Sequence, residues 1–419
     1  MITRSASLQV TSKGSLPSAF GKAACRWLLP LDRAALCAEA RRRTGLEEFG
    51  DPPVEPGLSV LLASLDEEAN LHPLGRLLMR IHLRALLETR LRLEEAWRGQ
   101  ASALENARIE RPIFIVGMPR SGSTFLHELM AEDPNHRAPR VWEVMFPLGA
   151  SRRQVRNQAQ RIRKTERCLW WFRRLAPRAD AVYPMRARTP HEDVAIQSHT
   201  FLSEEFISSC RIPRYEAFLR SADLTPAYTW QRRFLQHLQL EDPGKRWVLK
   251  SPDHVYGLKA LFAVFPDAVI IQTHRNPVEV LKSSADLTRV LRGLYGWPAD
   301  PEEIQTRETK MLAEGTERFI EFRDSHPELA ARFIDVKYTE LVAEPVATVR
   351  SIYERLQSPW PESLAERLRN LVANRSRYRG RRASAEPADL RLGATPEADR
   401  FERYCSRFGL PSAGTGFRR

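Results

Sequence analysis

The chain has 419 residues, 42% hydrophobic and 28% charged, an ordinary globular composition long enough for two or three domains and a large core. It holds no apolar run near the roughly 20 residues of a membrane-spanning helix, and its five scattered cysteines (Cys25, Cys37, Cys168, Cys210, Cys405) form no Cys-x-x-Cys pair, against a disulfide scaffold or a structural zinc site. Basic residues exceed acidic ones by 65 to 52, a net +13, with only nine lysines among the 65; that field favours an anionic partner without choosing among nucleic acid, acidic lipid and a phosphorylated small molecule.

The first twenty residues are serine-rich and acid-free, a loose tail whose composition is shared with mitochondrial transit peptides. The stretch 27–31 is too short for a secretory signal core, so the cytoplasm is the expected location. From 32 to 100 the pattern is helical. Asp32 and Asp66 each precede an apolar-periodic run, residues 74–96 repeat apolar positions at three and four spacing, and Asp51-Pro52-Pro53 interrupts the helices. Residues 1–110 read as a helical N-terminal region with no catalytic pattern.

At Arg111-Pro112 the character changes. Residues 113–116 are continuously apolar, and similar runs recur at 247–249, 268–272 and 333–336. Strands of that kind suit a parallel sheet buried on both faces. Helical segments are predicted at 254–265, 278–291, 302–324 and 345–356, which makes residues 111–419 a doubly wound α/β domain: a P-loop-type parallel sheet flanked by helices. Residues 145–243 form a helical, substrate-side insertion with an arginine-rich opening at 152–174, and a last helix is predicted at 397–408. Ligands in such sheets bind beyond the carboxyl ends of the strands. The motifs fall there.

The strongest motif is Gly117-Met118-Pro119-Arg120-Ser121-Gly122-Ser123-Thr124, between the first strand and a helix. A glycine loop in that place closes backbone N–H groups and a helix N-terminus around a phosphate or sulfate. A nucleotide triphosphatase loop carries Lys before its Ser/Thr. Here that position is Ser123, and the loop's cation is Arg120, which argues against ATP or GTP as a hydrolysed donor. His274-Arg275-Asn276-Pro277 follows a second strand, with Ser283 eight residues beyond Arg275 and Ser284 a less favoured alternative. Leu249-Lys250-Ser251-Pro252 closes a third strand.

These motifs resemble those of the sulfotransferases that use 3′-phosphoadenosine 5′-phosphosulfate (PAPS), specifically the bacterial enzymes similar to tyrosylprotein sulfotransferases. The resemblance spans about 111–408. It implies that Arg120, Ser121, Gly122, Ser123 and Thr124 hold the 5′-phosphosulfate, that Arg275 and Ser283 grip the 3′-phosphate, and that Arg120 and Lys250 stabilise the sulfuryl group and the departing phosphate. Tyr338-Thr339-Glu340-Leu341 resembles a family segment after a late strand and reads as structural support.

Sulfuryl transfer also needs a general base for the acceptor hydroxyl. By the same resemblance Glu143, in Val141-Trp142-Glu143, is the first candidate and His191, in Pro190-His191-Glu192-Asp193, the second, ahead of His127. No metal cluster is expected. The partner is a small-molecule hydroxyl acceptor, apolar (lipid, sterol or phenol) if Trp142, Phe146, Trp170, Trp171 and Phe172 line its cleft, with no nucleic acid and an open oligomeric state. Two rivals remain: a P-loop kinase of small metabolites, and an arginine-rich protein that grips nucleic acid or anionic membrane without chemistry.

Overall fold

A computed structural model describes residues 26–148, 154–379 and 396–411; the N-terminal tail lies outside them. Five parallel strands form one sheet: β1 (Ile113–Gly117), β2 (His136–Arg137), β3 (Arg246–Lys250), β4 (Val269–His274) and β5 (Phe333–Lys337), in the order β2-β3-β1-β4-β5. Strand β1 is central. Its register sets Ile115 beside Lys250 of β3 and Gly117 beside Thr273 of β4, so the ends of three motif-bearing strands meet.

The continuous apolar runs are explained by cover on both faces. Phe114 and Val116 enter one cluster with Trp97, Trp230, Trp247 and Phe319; Ile113 and Ile115 enter the opposite one with Leu126, Val248, Ile271 and Ile352. Burying a side chain of that size stabilises by about 1.5–3 kcal/mol, so either face alone would be a costly surface to expose. The two-residue β2 is too short to leave a periodic signal, and the sequence reading misses it.

Before the sheet come α1 (Arg33–Thr44), α2 (Gly57–Glu67) and α3 (Pro73–Arg98). Asp32 caps α1, its carboxylate accepting from Ala35 N at 2.8 Å. Asp66 opens no helix. It stands in the last turn of α2, where it pairs with Arg76 of α3 at 2.6 Å. These helices share a core with Phe201, Phe206, Tyr215 and Leu219 of the inserted segment. Arg90 of α3 is fully buried, donating to the carbonyls of Phe49 (2.7 Å) and His199 (2.9 Å) while stacking 4.2 Å from Trp230.

The helix predicted at 254–265 is broken at Gly257 into a 3₁₀ segment, Pro252–Tyr256, and a helix, Leu258–Val264. A Cβ at Gly257 would lie 2.8 Å from the Tyr228 hydroxyl. The remaining predicted helices are found within a residue or so, at Pro277–Arg292, Pro301–Ser325, Pro345–Leu356 and Pro396–Phe408. The last of these returns to the sheet: the Tyr404 hydroxyl meets His274 Nδ1 at 2.7 Å at the end of β4.

Candidate active site

The loop after β1 is shaped by two glycines in backbone conformations that L side chains avoid. Gly117 (φ +139°) crosses β4 so closely that a Cβ would lie 2.4 Å from Thr273 Oγ1, and a Cβ at Gly122 (φ +93°) would lie 2.9 Å from the Tyr338 ring. Arg120 between them is left-handed, φ 65°. The helix Ser123–Met130 starts directly afterwards, leaving its first N–H groups without intrahelical acceptors. Ser123 is buried and Thr124 exposed at that first turn. Ser121 is turned inward instead: its hydroxyl reaches Met118 O and Thr273 Oγ1, both at 2.6 Å, and tightens the loop.

Arg120 Nε donates to Ser283 Oγ at 2.9 Å, and Arg275 Nη1 donates to the Arg120 carbonyl at 3.0 Å. Arg275 is further steadied by Glu279 at 3.0 Å and by the Tyr338 ring, 4.2 Å from its guanidinium. Tyr338 therefore supports both the glycine loop and the second arginine. Burial, followed by the like charge of Arg275, depresses the pKa of Arg120. Two guanidinium groups beside a helix N-terminus form a place for an anion. Ser284 is not available to it, because its hydroxyl is bonded to Glu308.

Lys250, 2% exposed at the end of β3, pairs with Glu192. Asp193 fixes that segment: its N–H donates to the Lys250 carbonyl at 3.3 Å, and its fully buried carboxylate accepts from His254 Nε2 at 2.9 Å. The Tyr228 hydroxyl meets the other nitrogen of His254 at 2.8 Å.

Around this pair lies a group of half-buried side chains whose ionisation is governed by burial. The Tyr183 phenol is raised first by burial and then by Glu192, to which it is hydrogen-bonded. Asp253 is pushed up to about 8 by burial, Glu204 and Glu192. His191 is lowered by burial against the opposing pull of Glu192 and Glu205, and its backbone N–H donates to Pro139 O at 2.7 Å. Asp253 also borders a cavity that reaches the start of the loop at Gly117–Pro119 and is closed by Met311, Leu312 and Phe319.

Glu143 lies in a helical turn beside the segment of His191 and Glu192, where Val141 N and Trp142 N donate to the carbonyls of Thr189 and Ala187. It is 5% exposed, one oxygen accepting from Arg137 Nη2 at 2.9 Å and the other from Arg140 N at 2.8 Å. The Arg137 guanidinium lies 4.8 Å from the Trp247 ring, three residues before Lys250 on β3, or about 10 Å along a strand. His127 is also structural in its contacts. Its ring bonds to Val248 O at 3.0 Å, and burial beside Lys250 lowers its pKa to about 3.

Of the aromatic residues, Trp142 is buried under Arg161 (4.5 Å) and Phe146 is covered by Lys164 (4.0 Å), whereas Trp170 and Trp171 are exposed. Sequence reasoning quoted Glu192 only as the neighbour of His191 and missed Tyr183 and Asp253. No spacing rule links residues brought together from an insertion and a strand end.

Residues 112–362 match the model of the sulfotransferase family. An omega-hydroxy-beta-dihydromenaquinone-9 sulfotransferase of Mycobacterium bovis is 27% identical over 294 residues, 66% of this chain and 70% of that protein. The crystal structure of sulfotransferase STF1 from Mycobacterium tuberculosis superposes with a TM-score of 0.75 at 29% identity, covering 90% of this chain and 99% of that one. STF9 from Mycobacterium avium gives 0.76 at 26%, covering 91% and 97%.

Proposed function

The chain belongs to the sulfotransferase family, and we propose that it carries the sulfuryl group of PAPS to a hydroxyl of an apolar acceptor. The observation that carries the donor half is the direct joining of the two basic motifs, Arg120 to Ser283 and Arg275 to the Arg120 carbonyl. In this reading the loop N–H groups with Ser123 and Thr124 take the 5′-phosphosulfate. Arg275 and Ser283 take the 3′-phosphate, and Ser121 acts by holding the loop's shape. The division at residue 110, the acceptor-side role of 145–243 and a cytoplasmic location belong to the same reading.

On the acceptor side, the contacts favour Glu192 as the base over Glu143 and His191. The acceptor oxygen forms a bond to sulfur as the bond from sulfur to the bridging phosphate oxygen breaks. The hydroxyl proton passes to Glu192, and the departing adenosine 3′,5′-bisphosphate keeps the bonding electron pair, stabilised by Arg120 and Lys250. Lys250 pairs with Glu192. An arriving phosphosulfate competes for that ammonium and leaves the carboxylate to the acceptor hydroxyl. For Glu143 to serve, it would first have to leave Arg137, a buried guanidinium that would keep the Asp242 carbonyl, 2.9 Å away, but lose its carboxylate partner.

An apolar acceptor is supported by the relatives named for a hydroxylated dihydromenaquinone. The test is a PAPS-fed reaction with pools of hydroxylated lipids, sterols, phenols and polyanionic sugars, read by mass spectrometry for the gain of one SO₃. Products in the apolar pools are expected. Products confined to the sugar pool would contradict the acceptor class.

A further inference from the structure

The helix Gln154–Leu175 has two unlike faces. Arg161, Thr165 and Leu169, at four-residue spacing, are buried against the rest of the protein, with Arg161 pairing to Glu241 at 2.8 Å. Arg163, Arg167, Trp170, Trp171 and Arg174 recur at the same helical period on the other side, and all are exposed. Trp170 and Trp171 keep 44% and 57% of their surface in water. Arg178, just beyond the helix, is exposed as well, and the one acidic residue of the helix, Glu166, is engaged with Ala187 N at 2.8 Å.

We infer that this face docks on an anionic lipid bilayer. A surface helix with cations flanking tryptophans is suited to the headgroup boundary, where an indole is amphipathic and each cation meets lipid phosphate. The indoles are poorly placed for stacking on nucleic-acid bases. They pack against each other edge to face at 4.7 Å and 81°, and the Arg174 guanidinium covers Trp170 at 4.9 Å. What remains is an apolar ridge between cations. The position is also apt: the chain runs from this helix through the short helix Pro177–Val182 to Tyr183, whose hydroxyl is bonded to Glu192. A bilayer held here stands beside the segment that leads to the candidate acceptor site. The docking itself does not depend on the proposed reaction.

Sedimentation of the full-length protein with phosphatidylcholine vesicles, with and without phosphatidylglycerol, tests the inference. Binding is expected only with phosphatidylglycerol and should weaken with salt. Arg163→Gln and Arg167→Gln should each lower the partition constant about fivefold. The double variant Trp170→Ser/Trp171→Ser should lower it at least about tenfold, with circular dichroism and melting temperature unchanged to exclude misfolding. Equal binding to both vesicles, or undiminished binding by the folded variants, would overturn the inference. So would binding to a single-stranded oligonucleotide in place of vesicles. A change of elution volume on losing the tryptophans, with no vesicle binding, would assign the face to a second copy of the chain.

Discussion

Arg120 and Ser283, 163 positions apart in the chain, are joined by a hydrogen bond of 2.9 Å. The bond ties the loop of β1 to the helix after β4. Burial, and then the like charge of neighbouring Arg275, depresses the pKa of Arg120. Such a pair gains from an anion that neutralises both members.

If Arg120 and Lys250 supply the charge that magnesium supplies to kinases, turnover should persist in excess EDTA. The check is product formation with and without chelator. Loss on chelation and recovery with magnesium would favour the kinase alternative.

Glu192→Gln should lower turnover by about 10²–10⁴, while binding of adenosine 3′,5′-bisphosphate is kept or tightened. Glu192→Asp should restore part of the rate. A carboxylate that merely positioned Lys250 would instead weaken binding of the bisphosphate when replaced. His191→Ala should be milder. Near-normal turnover in Glu192→Gln, with loss in Glu143→Gln, would move the base to Glu143.

Glu143 makes a separate prediction about stability. Its partner Arg137 has a side chain only 7% exposed, so Glu143→Ala leaves a buried guanidinium with the Asp242 carbonyl but no counter-charge, at a cost of up to about 3–5 kcal/mol. Urea denaturation measures it. The apolar double variant Arg137→Met/Glu143→Leu should recover much of the loss. A loss below about 1 kcal/mol would mean that the pair is solvated.

Asp253, with its pKa pushed up to about 8 by burial and neighbouring carboxylates, holds a proton in the native state that the unfolded chain releases near the ordinary 3.8. Its contribution is therefore present at acidic pH and lost as pH rises through about 8. The melting temperature should fall over that window. In Asp253→Asn the fall should be shallower, and an identical profile would contradict the assignment.

The sheet and the glycine loop were legible because each rests on a local rule. Residues 113–116 are apolar throughout since both faces are covered, and a glycine loop between strand and helix is a contiguous pattern. The preference for Ser283 over Ser284 rests on the family resemblance, and the hydroxyl of Ser284 is engaged with Glu308. Glu192 was not singled out: its placement depends on Asp193, held by His254 from beyond β3, a contact that no periodicity encodes. Trp170 and Trp171 were ambiguous for the same reason. A tryptophan pair on a helix can face core, cleft or water, and only the burial of Leu169 and Thr165 fixes which side is out.

The most direct test of the donor clamp is calorimetry with adenosine 3′,5′-bisphosphate and adenosine 5′-monophosphate. The wild type should bind the bisphosphate far more tightly, because Arg275 and Ser283 have a ligand only in the 3′-phosphate. Arg275→Ala should lose about 2–4 kcal/mol toward the bisphosphate and little toward the monophosphate. Equal affinity of the wild type for the two nucleotides, or an Arg275→Ala variant that still tells them apart, would contradict the account.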